Sequence, residues 1–291
     1  MVGPDDMTLY RQVEPAVDEE GARYLSFDRV AHEYDETRYL PPAVQEQAAR
    51  LLREVAALAP GQALLDAGVG TGRFALPLAR LGVPVVGVDI SLKMMRRLEA
   101  KRAGEERAGT PLPLRLVQGD LRRLPFASGA FGAVLIVHIL HLIVDWREVL
   151  AEIRRVLAPG GVLLLGQEGS GRRALPVRDK YFELARQRNI LPAHRGAQNI
   201  EEVWEFLRAQ GAQVERAGAG PVRWMARLRV ADTLDRLRRR TWSTLWSLPD
   251  ADHAEMMAET EAWARQMYGS LETAEELEAK FGVWTVRWPH G

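Results

Sequence analysis

The eleven residues Leu64-Leu65-Asp66-Ala67-Gly68-Val69-Gly70-Thr71-Gly72-Arg73-Phe74 restrict the fold more than any other part of the chain. They read as an apolar strand ending in an acid, a tight turn with glycine at alternate positions, and the opening of a helix. Positive φ costs little only for glycine, and a side chain at Gly68 or Gly70 would hold a ligand off the backbone. Strand, glycine turn and helix in succession begin a βαβ unit, whose ligands sit at the carboxyl edge of a parallel sheet. A dinucleotide turn wants its third glycine where Arg73 stands, so that pattern is matched only in part.

The residues that follow continue the unit. After a first strand at Ala63–Asp66, apolar runs at Val83–Asp89, Leu114–Val117, Ala133–Val137 and Val162–Leu165 alternate with helical spacing. Val134-Leu135-Ile136-Val137 has no polar face, as suits a parallel strand covered by helices on both sides. Leu92–Arg102 and Arg147–Leu157 have helical spacing, the second with one apolar stripe through Val149, Leu150, Ile153, Val156 and Leu157. Upstream, Tyr24–Leu58 reads as helix broken at Pro41-Pro42. Downstream, Asp179–Arg188, Ile200–Gln210, Ala231–Leu245 and Asp252–Tyr268 read as helices, and Gln213–Glu215 and Gly282–Trp288 as strands. One domain is expected over residues 1–291: a helical lid at 1–58, a core at 59–168, and cap helices with the final strands at 169–291.

Three further motifs narrow the ligand. Val86-Gly87-Val88-Asp89-Ile90-Ser91 ends the second strand on a carboxylate suited to two ribose hydroxyls. Val117-Gln118-Gly119-Asp120-Leu121 adds an acid suited to an exocyclic adenine amine. Leu157-Ala158-Pro159-Gly160-Gly161-Val162 is a helix stop and a turn into the next strand. In this order the motifs resemble the class I S-adenosylmethionine-dependent methyltransferases, specifically the type 11 group of small-molecule and ubiquinone-biosynthesis-like enzymes. Phe27–Asp35 resembles the lead-in helix of that group, whose tyrosine closes over the cofactor.

The resemblance implies an α/β fold: a Rossmann-like, mostly parallel sheet with an antiparallel last strand, helices on both faces and an added helical cap. It also implies S-adenosylmethionine as cofactor, leaving as S-adenosylhomocysteine. Asp66, Gly68 and Gly70 would surround its methionine end, Asp89 its ribose, and Asp120 with Leu121 its adenine, with Ile90 and Met94 on either side of the ring. Tyr34, Arg38, Ala67, Thr71, Gly72, Gly119 and Val137 complete the expected cofactor set.

Composition removes other chemistries. There is no cysteine, so disulfides, thiolate zinc sites, iron–sulfur clusters and cysteine nucleophiles are excluded. Lys+Arg 39 against Asp+Glu 39 gives no basic excess, which disfavours nucleic acid, and Arg236–Arg240 reads as a solvated helix face beside Asp232 and Asp235. No apolar run approaches the roughly 20 residues of a membrane span. Met1–Thr8 lacks the basic and apolar flanks of an export signal, so a cytoplasmic enzyme is expected. The six histidines show no metal-ligand spacing.

For methyl transfer the first requirement is alignment; a base helps if the acceptor is an oxygen or a neutral nitrogen. His138 is the candidate base, just beyond the fourth strand, with His141 and His32 as further candidates and pocket shaping as the alternative role. Val137-His138-Ile139-Leu140 stands where amino-methylating DNA enzymes carry an Asn or Asp before two prolines. Of 8 Trp, only Trp146 precedes residue 200. Trp204, Trp224, Trp242, Trp246, Trp263, Trp284 and Trp288 suggest an acceptor site, reaching to the lead-in helix, for a small apolar or aromatic molecule, with Trp242 and Trp246 on one helical face. A homodimer is the candidate assembly. RNA or protein methylation, a silent cofactor-binding module and a nicotinamide oxidoreductase are the alternatives.

Overall fold

The computed structural model describes residues 27–38, 40–109, 111–170, 175–190, 195–218 and 220–289. The expectations for Met1–Thr8 and for Tyr24–Ser26 lie outside these residues. The chain divides into two compact units, Met1–Gln167 with Arg195–Gly220 and Gly282–Gly291, and Glu168–His194 with Pro221–Phe281.

The first unit is built on strands β1 (Leu64–Ala67), β2 (Val85–Asp89), β3 (Leu114–Gln118), β4 (Phe131–Val137), β5 (Leu157–Ser170) as far as Gln167, β6 (Gln213–Arg216) and the end of β8 (Ala274–Arg287). The sheet order is β3-β2-β1-β4-β5-β8-β6. Pairs β1–β2, β1–β4, β2–β3 and β4–β5 are parallel, and β6–β8 is antiparallel. Every residue of β1 is buried, as is β4 up to Ile136. That is the cost-free state for strands with no polar face once helices cover both sides.

The connecting helices are α2 (Pro42–Ala56), α3 (Ala75–Arg80), α4 (Leu92–Arg107), α5 (Trp146–Val156) and α7 (Ile200–Ala209), with a short α1 (Tyr34–Thr37) before them. α5 buries Val149, Leu150, Ile153 and Val156 in one stripe beside Trp146, each worth roughly 1.5–3 kcal/mol of transfer from water. α4 starts at Ser91, whose Oγ accepts from Met94 N at 3.1 Å, satisfying one of the orphan donors of a helix N-terminus. The expected turn at Leu157–Val162 is the irregular opening of β5, where the register steps from Phe131↔Leu157 to Ala133↔Val162 and Gly160 has φ +77°.

In the second unit β7 (Val222–Arg229) pairs antiparallel with Ala274–Phe281 of β8. α6 (Pro176–Gln187), α8 (Val230–Arg238) and α9 (Asp250–Tyr268) enclose a separate core of Tyr181, Leu234, Leu237, Leu245 and Met256. Among the described residues no helix is long and apolar enough to cross a membrane.

Three expectations are corrected. The helix expected over Ala231–Leu245 ends at Arg238; Arg240 has φ +51°, and Ser243–Leu245 is a single 3₁₀ turn. Trp242 and Trp246 therefore flank a turn and do not share a helical face. The lead-in is not continuous helix: turns over residues 28–33 precede the four-residue α1.

Candidate active site

The carboxyl ends of β1 and β2 lie side by side, in the register Asp66↔Gly87 and Ala67↔Val88. The chain then turns sharply, with Gly68 N and Val69 N both donating to Val88 O at 2.8 and 3.0 Å. Gly68, Gly70 and Gly72 have φ of +87°, +54° and +82°, which is the physical reason for glycine at alternate positions. The Asp89 carboxylate supports this turn from below: Oδ2 accepts from Gly70 N at 2.8 Å and Oδ1 from Ser91 N at 2.8 Å. Desolvation raises the Asp89 pKa, against the backbone N–H groups of Ser91, Gly70 and Ile90 that lower it.

Asp66 is 4% exposed. Among the described residues no donor reaches its carboxylate, and desolvation, then the charge of Asp89, pushes its pKa up to about 7. β3 is tied to the same edge by Gly119 N to Asp89 O at 3.0 Å and Gln118 Nε2 to Ile90 O at 3.1 Å. Leu121 is buried, and Asp120 is engaged by Arg122. Met94 is buried in α4, with its Cε 3.3 Å from where a Cβ on Gly70 would stand.

Beyond Val137, His138 is exposed in the left-handed region with φ +54°, its ring 6.5 Å from that of His141. Ile139 follows, and a Cβ on Gly68 would meet its Cδ1 at 2.4 Å. The lead-in joins the same edge through two acids: Asp28 accepts from Ser91 Oγ, and Asp35 accepts from Thr71 Oγ1 at 2.5 Å. Tyr34 opens α1 with its ring edge-on to Phe27 at 5.7 Å, and Arg38 closes that helix. His32 is exposed in the preceding turn.

Residues 65–165, the span from β1 to β5 that carries this edge, match a family model described as Methyltransferase domain. The demethylmenaquinone methyltransferase of Mycobacterium marinum is 33% identical over 207 residues, 68% of this chain and 85% of that protein. That of Streptomyces avermitilis is 33% identical over 220 residues, 75% of this chain and 84% of that protein. The chain belongs to the type 11 methyltransferase family. The fold is shared with the YcgJ protein of Bacillus subtilis, at TM-score 0.54 and 20% identity over 84% of this chain and 99% of that one.

This methyltransferase is an S-adenosylmethionine-dependent enzyme, and the nicotinamide alternative is set aside. The sequence brought Asp66, Ala67, Gly68, Gly70, Thr71, Gly72, Asp89 and Ile90 to one edge of the methyltransferase sheet, and they are found there together. It missed Ile139, Asp28, Asp35 and Arg122. Ile139 had only its place after an apolar strand to mark it, and the acids of the lead-in meet partners 63 and 36 residues away.

The tryptophans are divided in the methyltransferase. Trp204 and Trp284, with ring centroids 5.1 Å apart, and Trp288 pack on the core of the first unit. Trp242 and Trp263 pack on the core of the second, and Trp224 on a small cluster with Leu175, Leu277 and Ala279. At least three of the seven later tryptophans therefore serve the sheet core.

Proposed function

We propose that this methyltransferase holds S-adenosylmethionine along the carboxyl ends of β1, β2 and β3 and methylates a small ring of the quinone type. Asp89 carries the cofactor assignment. Its carboxylate is fixed by Gly70 N and Ser91 N, and each oxygen retains acceptor capacity for a ribose hydroxyl. Two observations support the fit. The Asp66 carboxylate lacks a donor among the described residues, which suits the ammonium of an amino acid. The positive-φ turn through Gly68 and Gly70 brings bare backbone to the strand ends beside Asp66 and Asp89. Tyr34, Arg38, Gly119, Asp120, Leu121, Met94 and Val137 complete the assignment.

Bound there, S-adenosylmethionine supplies a methyl group already activated on a sulfonium centre. What the protein adds is alignment, which can contribute about 7–11 kcal/mol. Asp66 orients the methionine end of the donor and Asp89 its ribose. His138, exposed beyond β4, receives the proton of a ring hydroxyl as that ring becomes nucleophilic.

The acceptor class rests on the demethylmenaquinone methyltransferases that the chain resembles. The basic run supports a small molecule over RNA: Arg238 pairs with Glu261, Arg239 with Asp235 and Arg240 with Asp250. The test is incubation with methyl-labelled S-adenosylmethionine and, separately, a reduced demethylated naphthoquinone, bulk RNA or a protein extract, read by mass spectrometry. Label is expected in the naphthoquinol. Label confined to RNA or protein would sink the acceptor, and failure to bind S-adenosylhomocysteine would sink the cofactor assignment.

A further inference from the structure

Among the described residues, Arg122 alone grips Asp120. Arg122 donates from its backbone N to Oδ1 at 2.9 Å, from Nε to both oxygens at 3.1 and 3.0 Å, and from Nη2 to Oδ2 at 2.6 Å. Its other terminal nitrogen, Nη1, donates to Asp145 Oδ2 at 3.1 Å. Asp145 is the N-cap residue of α5, so the guanidinium spans from the loop after β3 to the segment after β4. The side chains of Asp120, Arg122 and Asp145 are only 23%, 16% and 18% exposed, which limits competition from water.

An ionised carboxylate offers about four acceptor positions. Three N–H hydrogens of Arg122 make four contacts with them, two on each oxygen, the Nε hydrogen being shared. That shared hydrogen, at 3.1 and 3.0 Å, makes the two longest contacts, so capacity for one further donor remains. Because the guanidinium is planar and is pinned at its far end by Asp145, the carboxylate cannot turn without breaking charge-assisted bonds.

We propose that Arg122 is the positioning residue for purine recognition: it orients Asp120 so that the single remaining acceptor position selects a 6-amino over a 6-oxo purine. The proposal rests on the assignment of Asp120 to the adenine. Arg122 acts through Asp120 and need not touch the ligand. A lysine in its place would supply charge without the two-pronged geometry.

The test is calorimetric titration of the whole protein with S-adenosylhomocysteine and with S-inosylhomocysteine, its 6-oxo analogue. Wild type, Arg122→Gln, Arg122→Lys and Asp145→Ala are compared, with melting temperatures measured alongside. Wild type is expected to favour the amino nucleoside by about tenfold or more, the worth of one hydrogen bond to a charged group. Arg122→Gln should lose most of that ratio, Arg122→Lys should not restore it, and Asp145→Ala should lower it in part. A merely structural role would lower melting temperatures and leave the ratio intact in every variant that folds, which overturns the proposal alone. If Arg122→Gln does not fold, an unchanged ratio in Asp145→Ala overturns it. Equal binding of both nucleosides by wild type overturns the placement of Asp120 at the adenine, and the proposal with it.

Discussion

Thr71 of the glycine turn donates from Oγ1 to the Asp35 carboxylate of α1 at 2.5 Å, although 36 residues separate them. Lys101 of α4 joins the pair, 2.7 Å from Asp35 and donating to Thr71 O at 2.9 Å. Desolvation of Asp35 opposes ionisation, but hydrogen bonds from Lys101 and Thr71, with the charges of Lys101 and Arg97, hold its carboxyl below the usual range. Asp35 thus fastens the lead-in to the turn and to the middle of α4, beside the tie from Asp28 to Ser91 at the start of that helix.

Releasing that fastening should loosen the lead-in without disturbing the sheet. Asp35→Ala is expected to weaken S-adenosylhomocysteine binding about fivefold, because a partly exposed ion pair contributes on the order of 1 kcal/mol. Its dissociation rate should rise by a similar factor. Stopped-flow release of the ligand checks this, and a wild-type rate would mean that the lead-in does not cover the cofactor.

How far the sequence reveals this architecture depends on burial. β1 to β5 were legible because strands covered on both faces must be apolar throughout, and the turn was legible because its φ values demand glycine. β7 went unread. Val222–Arg229 alternates half-buried Val222, Trp224, Ala226 and Leu228 with exposed Arg223, Met225, Arg227 and Arg229, but Met225 spoils the polar face. Its partner Ala274–Phe281 is rich in Glu, Ala, Leu and Lys, good helix formers that become strand only through pairing with β7. The end of α8 at Arg238 carries neither Gly nor Pro to mark it. In the site, the acids of the strand ends could be read from spacing, whereas the contacts of Asp28, Asp35 and Ile139 depend on the folded chain.

At Gly68 the constraint has two parts, and they are separable. φ of +87° penalises any side chain, and a Cβ would lie 2.4 Å from Ile139 Cδ1 and 2.5 Å from its Cγ1. Gly68→Ala should destabilise by about 2–4 kcal/mol in urea unfolding, combining backbone strain with overpacking. Combining it with Ile139→Ala should recover the steric part, giving a favourable coupling energy of about 1 kcal/mol or more in a double-mutant cycle. Strict additivity would show that Ile139 moves aside freely.

His138 occupies the left-handed region at φ +54° while exposed to solvent. Non-glycine residues held there cost about 1 kcal/mol, and such strain gathers at functional positions. His138→Gly is therefore expected to exceed His138→Ala in unfolding free energy by about 1 kcal/mol, while both lower kcat on a naphthoquinol. Equal kcat in wild type and both variants would remove His138 from proton transfer and leave it a purely structural residue.

The last prediction concerns Asp66, which is 4% exposed beside the carboxylate of Asp89. Desolvation first, and the Asp89 charge second, raise its pKa from 3.8 to about 7. In the ligand-free protein the folded state keeps this proton over a range where the unfolded chain has released it. Its contribution therefore favours folding below about pH 4, falls as pH rises toward 7 by up to about 1.4 kcal/mol per unit, and is flat above. Asp89 is shifted in the same direction, so Asp66→Asn should reduce this slope and leave a remainder from Asp89. An ammonium group beside Asp66 reverses the preference, because it stabilises the ionised carboxylate. The affinity for S-adenosylmethionine should then rise with pH by at most about tenfold per unit below 7 and level off above. Binding below pH 7 should also release a proton, seen as a difference in calorimetric enthalpy between buffers of unlike ionisation heat. Asp66→Asn should bind more weakly, and with its pH dependence and proton release both diminished. A wild-type affinity that is level from pH 5.5 to 8, with the same heat in both buffers, would show that Asp66 does not change its protonation when the cofactor binds, which overturns its pairing with the ammonium.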